Sequence, residues 1–304
     1  MIKKNSEPNS LHQNVNLPIG IFLTMVAWTF FAVLNACIKA IAQEIPTHAI
    51  LFFENFFALL LFIPFISIEP KILKTKKLSL IILRSIFGIL TYYFLFFSVK
   101  LIPLVDAALL SNTAPLFIPF ILYFWIKKKI PLKQLLGIFL GFIGVIYILQ
   151  PGIEIISVGS LLALASGIFA AGSMTSSRLL SSESPITVCI YYLFISSVVL
   201  FPMLWLDWQM PSSRVWLLLI SAGILMYFLQ VFYTQAYKYA CATDLGPFSY
   251  IFVIVSGLID WLIWNDVPTL SSLVGIILVI IGGILTILFS ETKIKRMGKR
   301  QSLN

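Results

Sequence analysis

Apolar residues run through this chain in long blocks, separated by short polar or proline-containing breaks. The blocks lie near 18–42, 47–66, 79–99, 104–126, 132–150, 158–178, 187–206, 215–238, 245–264 and 270–290. Each is close to the length of about 20 residues that a helix needs to cross the hydrocarbon of a bilayer. The pattern therefore predicts ten transmembrane helices. Pro46, Pro70, Pro131, Pro151, Pro185, Pro211 and Pro268 sit at or beside the breaks, where a residue without an N–H ends a helix. Pro115 and Pro119 fall inside the fourth block, and a carbonyl freed at that depth needs other protein groups or water as partners. The first block is too long for the core of a cleaved signal peptide, so it is expected to stay as an anchor behind a polar tail, residues 1–17.

Composition settles the class. Of 304 residues, 60% are hydrophobic and 11% charged, with a mean hydropathy of +1.00; soluble domains are about 45–50% apolar and about 25% charged. One globular core could not hide so many Phe, Leu and Ile side chains. The chain reads as an all-α integral membrane protein with no soluble domain left over. Cys37, Cys189 and Cys241 are far apart, and His12 and His48 are isolated, which argues against a disulfide framework and a zinc site. No metal and no cofactor are expected.

The net charge of +9 reads as a topology signal and not as a nucleic-acid footprint. With a cytoplasmic N-terminus, all 21 Lys and Arg except Lys39, Lys100 and Arg214 fall on the cytoplasmic side, as the positive-inside rule demands. Both termini, including a basic tail at 291–304, are then cytoplasmic. Clusters at Lys71–Lys77, Lys127–Lys129 and Lys293–Arg300 read as topology determinants that meet anionic lipid.

An offset of 138 aligns the two halves: Lys100 falls on Lys238, Asp106 on Asp244, Ser111 on Ser249, Gly137 on Gly275 and Gly144 on Gly282. Five spans per half is an odd number, so the second half (151–290) inserts inverted relative to the first (18–150). Inverted repeats recur in secondary transporters, whose halves exchange conformations to open alternately to each side.

Further motifs sharpen this. Arg84-Ser85-Ile86-Phe87-Gly88 opens the third span, Ser98-Val99-Lys100-Leu101-Ile102-Pro103 closes it, and Ala107 to Pro115 (AALLSNTAP) lies in the fourth. Gly137 to Gly144 (GIFLGFIG) and Ala236-Tyr237-Lys238-Tyr239 add to them. With these, the chain resembles the drug/metabolite transporter superfamily, specifically its EamA-type tandem-repeat members, over about residues 18–290. The resemblance implies a ten-helix carrier with a central cavity lined by spans 1, 3, 4, 6, 8 and 9, and with spans 5 and 10 peripheral. Two positions depart from the family pattern: Lys128 stands where an acid is common, although Asp266 keeps one in the second repeat, and Phe53-Glu54-Asn55 stands where the second span often carries an Arg.

Candidate cavity residues follow from helical spacing. Thr24, Trp28, Phe31 and Asn35 share one face of the first span, and Tyr227, Gln230, Thr234 and Tyr237 make a similar stripe in the eighth, with Tyr233 on its flank. Tyr92 and Tyr93 in the third span, Ser111 and Asn112 in the fourth, Ser166 and Ser173 in the sixth, and Tyr250 and Ser256 in the ninth complete the polar set. Aromatic walls with a few amides and hydroxyls suit a small amphiphilic organic molecule and not a bare ion. Each such residue has a packing alternative, since Ser, Thr and Asn also bond neighbouring helices in membranes.

Charges within spans are the sharper signal, each costing on the order of 2.5–3.5 kcal/mol at helix centre. Glu54, Arg84 and Asp260 are the charge and proton-coupling candidates, and an ion pair or snorkelling side chain is the alternative role. Glu54 and Arg84 differ in depth by about six residues, or about 9 Å of rise, so a direct bridge between them is strained. Asp106 and Asp244 read as helix-end residues.

The expectation is a secondary transporter of a small organic metabolite, an amino acid or cofactor-like amphiphile, working by alternating access with proton coupling open. It would sit in a bacterial cytoplasmic membrane and leaves room for a homodimer. No GxxxxGK[ST] loop is present for nucleotide drive. The rival reading, an intramembrane enzyme acting on lipid or a lipid-linked substrate, finds no HExxH, no Cys/His combination and no paired intramembrane aspartates, so the chain is not expected to be an enzyme.

Overall fold

The computed structural model describes residues 16–68, 70–126, 132–149, 157–180, 182–207, 210–240, 245, 248–249, 251–265 and 270–301. Lys3, Lys4, His12, Lys127–Lys129, Pro131, Pro151, Cys241, Asp244, Tyr250, Asp266 and Pro268 lie outside them. Most of the described residues are helical: α1 (Leu17–Ile41), α2 (Thr47–Leu60), α3 (Ile63–Ile68), α4 (Leu78–Ser98), α5 (Leu104–Ser111), α6 (Ala114–Ile126), α7 (Leu132–Leu149), α8 (Val158–Leu179), α9 (Pro185–Leu200), α10 (Leu204–Asp207), α11 (Ser213–Tyr239), α12 (Ile251–Ile259) and α13 (Leu270–Gln301). Among them, seven stretches are long and apolar enough to cross a membrane. Three shorter apolar stretches, Leu135–Gly144, Ile251–Trp264 and Leu273–Leu285, fall in the remaining apolar blocks.

Local chemistry explains the ends. Asn16 caps α1 by accepting from the Ile19 N–H at 3.4 Å, and Ser212 caps α11 by accepting from Val215 at 3.4 Å, each satisfying an amide that a helix start leaves open. Pro46 and Pro103 stand just before α2 and α5, and Pro185 opens α9, the positions where proline's fixed φ costs nothing.

The fourth block does not form one helix. It breaks between α5 and α6 at Asn112 and Thr113, just before Pro115, whose ring disfavours the helical conformation in the preceding residues. The groups freed there find protein partners: the Thr113 hydroxyl donates to the Leu110 carbonyl at 2.7 Å, and the Ser111 hydroxyl to the Ala108 carbonyl at 3.2 Å. In the ninth block α12 runs into a π-helical turn, Asp260–Trp264. That turn stops at Asn265, whose φ of 56° lies in the left-handed region that Asn tolerates.

Packing obeys the offset found in the sequence. α1 lies along α11, and α8 lies along α4; a shift of 138 carries α1 onto α8 and α4 onto α11, so these are the same contact made twice. Each pair joins a helix of the first half to one of the second. Equivalent helices α7 and α13 also pack on each other, and they run antiparallel. A Cβ added to Gly144 would lie 2.7 Å from the Val279 nitrogen, and one added to Gly282 would lie 2.4 Å from the Gly141 nitrogen. Glycine is required at both places for the two backbones to approach so closely. An antiparallel contact between equivalent helices is what inverted repeats produce.

At the end of the bundle where α1 stops, Lys39 Nζ meets Asp260 Oδ1 at 2.7 Å and lies 4.4 Å over the Trp264 ring. Nearby, the Gln43 amide donates to the Lys100 carbonyl at 3.0 Å, and the Lys100 ammonium donates to the Ile45 carbonyl at 3.1 Å. At the opposite end, Lys77 Nζ donates to the Leu179 carbonyl at 3.0 Å and to Ser182 Oγ at 2.8 Å.

Candidate functional site: a cavity between two helix pairs

Between the α1–α11 pair and the α4–α8 pair lies a cavity with about 560 Å³ of empty space, part of it open to solvent. Trp28 and Phe31 of α1 and Leu229 and Tyr233 of α11 form one wall. Arg84, Gly88, Thr91, Tyr92 and Leu95 of α4, Ser166, Ala170, Ser173 and Met174 of α8, and Tyr192 of α9 form the other. Ser111 and Asn112, at the break between α5 and α6, complete the lining.

The aromatic wall is tightly coupled. Trp28 meets Phe31, Tyr233 and Phe252 at ring separations of 5.4, 6.2 and 5.9 Å, within the range for favourable aromatic pairs. On the other side, a Cβ on Gly88 would lie 2.7 Å from the Tyr192 ring, so glycine lets that ring rest directly against α4. One helical turn earlier, Arg84 covers the same ring, its guanidinium carbon 4.5 Å from the centroid.

A polar chain crosses between the pairs. Arg84 Nη2 donates to Gln230 Oε1 at 3.0 Å, and Arg84 Nε points at Ser177 Oγ at 3.4 Å. Gln230 Nε2 reaches the Tyr92 hydroxyl at 3.4 Å. Tyr92 and Gln230 are equivalent positions under the 138 offset, so two copies of one site have diverged into complementary partners facing each other. A second bridge is reciprocal: Asn112 Nδ2 donates to the Ser249 carbonyl at 2.7 Å, and the Ser249 hydroxyl donates to Asn112 Oδ1 at 2.6 Å.

The residues singled out from sequence are distributed as follows. Trp28, Arg84, Tyr92, Ser111, Asn112 and Ser173 line the cavity, and Gln230 stands one bond behind Arg84. Thr24, Asn35 and Thr234 are buried but outside the lining; the first two bond the carbonyls of Gly20 and Phe31, and Thr234 meets Cys189 Sγ at 3.3 Å. Tyr93 and Tyr227 are half-buried packing residues, Tyr227 lying 4.7 Å from the Phe62 ring. Ser256 is buried outside the lining. Glu54 is fully buried, also outside the lining, and accepts from Asn55 Nδ2 at 3.4 Å; its Oε2 has no hydrogen-bond partner among the described residues. Asp260 belongs to the ion pair with Lys39. Among the polar lining residues, those that spacing alone did not single out are Thr91 and Tyr192. The repeat offset carries a signal for the latter, because it places Tyr192 at the equivalent of Glu54.

Residues 18–150 and again 157–288 match the EamA-like transporter family. The chain belongs to this family. It is 27% identical over 280 residues to the pseudopaline exporter CntI of Pseudomonas aeruginosa, covering 91% of this chain and 98% of the exporter. It is 26% identical to the riboflavin transporter of Vibrio cholerae, over 82% of this chain and 86% of that one. It is also 25% identical to the S-adenosylmethionine uptake transporter of Rickettsia felis, over 92% and 97%. A crystal structure with 16% identity superposes with a TM-score of 0.65, covering 92% of this chain and 99% of the other, which shows the fold. The protein is therefore a multi-pass membrane transporter of the EamA-like family, and its relatives are named for moving small metabolites.

Proposed function

We propose that this chain is an alternating-access carrier for a small organic metabolite with a flat or apolar body, bound in the cavity between the α1–α11 and α4–α8 pairs. The observation that carries this reading is the cavity's construction: both repeats line it, and the helix pairs on its two sides are equivalent under the repeat. A symmetric pair of walls can lean together at one end while parting at the other, which is the movement alternating access requires. The named substrates of the relatives, pseudopaline, riboflavin and S-adenosylmethionine, support a cargo of metabolite or cofactor type.

In this reading the chain makes ten spans, with repeats at 18–150 and 151–290 and basic or polar tails at 1–17 and 291–304 on the cytoplasmic side of a bacterial inner membrane. Anionic lipid meets the basic clusters, and no chemistry is performed on the cargo. Trp28, Arg84, Tyr92, Ser111, Asn112 and Ser173 contact substrate, and Glu54 carries a coupling proton. Export and uptake are both represented among the relatives; direction follows the gradients.

The test is uptake into sealed proteoliposomes carrying the purified chain, with riboflavin, S-adenosylmethionine, amino acids and nucleosides as probes. At least one probe should accumulate faster than in protein-free vesicles, faster still when the lumen is preloaded with it, and Trp28→Ala should abolish the difference. Release of a chemically altered product would instead favour the intramembrane-enzyme reading.

A further inference from the structure

Arg84 is 2% exposed and, among the described residues, is the only charged one lining the cavity. A buried cation is unfavourable unless it is paired or fully hydrogen-bonded, and this one is neither. Nη2 and Nε are engaged by Gln230 and Ser177, but Nη1 has no acceptor among the described residues. Glu54, the buried acid of α2, forms no ion pair with it: its Oε1 takes the Asn55 amide and it does not reach the lining.

The guanidinium is also held in one orientation. Tyr192 supports one face at 4.5 Å, and Gln230 is itself fixed by contacts to Tyr92 Oη and to Met226 Sδ, at 3.4 and 3.6 Å. The planar fork is thus preorganised with one edge unfilled, the arrangement that favours a carboxylate. In the second repeat the equivalent position is Ala222, so the charge occurs once, and among the described residues no second cation lines the cavity to neutralise a dianion. The aromatic rings on the opposite wall, Trp28 and Tyr233 among them, offer faces for a flat body.

We propose that Arg84 forms an anion-binding subsite of the cavity, and that the cargo is a flat aromatic or conjugated compound bearing one carboxylate. This rests on the carrier reading above and names its substrate class. Three probes of equal ring system and different charge separate the two: 2-naphthoate, 2-naphthamide and 2-naphthylmethylammonium, with binding to the purified full-length chain read by thermal shift and tryptophan fluorescence. The carboxylate should bind at least about tenfold more tightly than the amide, since charge-assisted hydrogen bonds are the strong ones, and the ammonium should bind weakest. In Arg84→Gln that preference should fall below about twofold with amide binding kept, and Arg84→Lys should keep part of it. Equal binding of all three probes, lost in Trp28→Ala, would overturn the anion subsite and leave the carrier cavity standing. Binding of none would overturn both. Should Arg84→Gln fail to fold, the ranking in the unmodified chain still decides.

Discussion

Among the described residues, Lys39 and Arg84 are cations set within the helical bundle, and they are held in different ways. Lys39, 13% exposed, faces the fully buried Asp260 at 2.7 Å and the Trp264 ring; the pair joins α1 to the π-turn after α12. Arg84 has a ring beneath it and two neutral polar neighbours, and no anion bonded to it among the described residues. The first arrangement is closed, each charge having its complement within the protein. The second is open, and it is the one that borders the cavity. The difference separates charges that hold the bundle together from a charge kept for a partner that arrives from outside.

This contrast can be broken. The largest effect is expected at Asp260: Asp260→Asn leaves Lys39 buried without its anion and should cost about 3–5 kcal/mol of stability, seen as a large fall in melting temperature. Replacing both members, Lys39→Met with Asp260→Leu, should recover most of it. Next is the glycine seam between α7 and α13. Gly282→Leu drives a side chain into backbone 2.4 Å away and should cost about 1–3 kcal/mol or more, with probe preference unchanged because no described residue of the seam lines the cavity.

Removing the open charges should affect stability less than breaking the closed pair. Arg84→Gln gives up the bonds to Gln230 and Ser177 but also removes a buried cation with an unsatisfied atom, and Glu54→Gln removes a buried carboxyl with one, so melting should fall less than in Asp260→Asn while transport falls at least about tenfold for Arg84→Gln. For Glu54→Gln the expected change is a flattened pH profile of uptake. The smallest effect belongs to Lys100, outside the spans, whose partial burial pushes its pKa below the usual lysine value. The unfolded chain then holds this proton more tightly than the folded one. Stability should therefore rise slightly as pH climbs through the lowered pKa toward the ordinary value of about 10.4, and melting curves of Lys100→Met should lack that rise.

The legibility of the molecule in its sequence followed the range of the interactions. Span positions and the repeat were readable because apolar block length and a fixed offset are properties of the linear chain. The first-span stripe was readable as a face, and Trp28 and Phe31 of it do line the cavity; helical period identifies residues on one side without saying what they meet. Thr24 and Asn35 share that side, yet they turn to their own helix's carbonyls. The Lys39–Asp260 pair joins residues 221 positions apart, and only packing brings them together. The roles of Tyr192 under Arg84 and of Gln230 as its anchor depend in the same way on which helices become neighbours.

Alternating access itself is tested most directly by distances at the two ends of the bundle. In a chain with Cys37, Cys189 and Cys241 replaced, spin labels at Glu44 and Leu101 report the end near Lys39, and labels at Lys76 and Lys238 report the other. In lipid nanodiscs, each pair should show two distance populations, and conditions that lengthen one should shorten the other. A single distance at each end, unmoved by pH or by added 2-naphthoate, riboflavin or S-adenosylmethionine, would contradict the carrier mechanism.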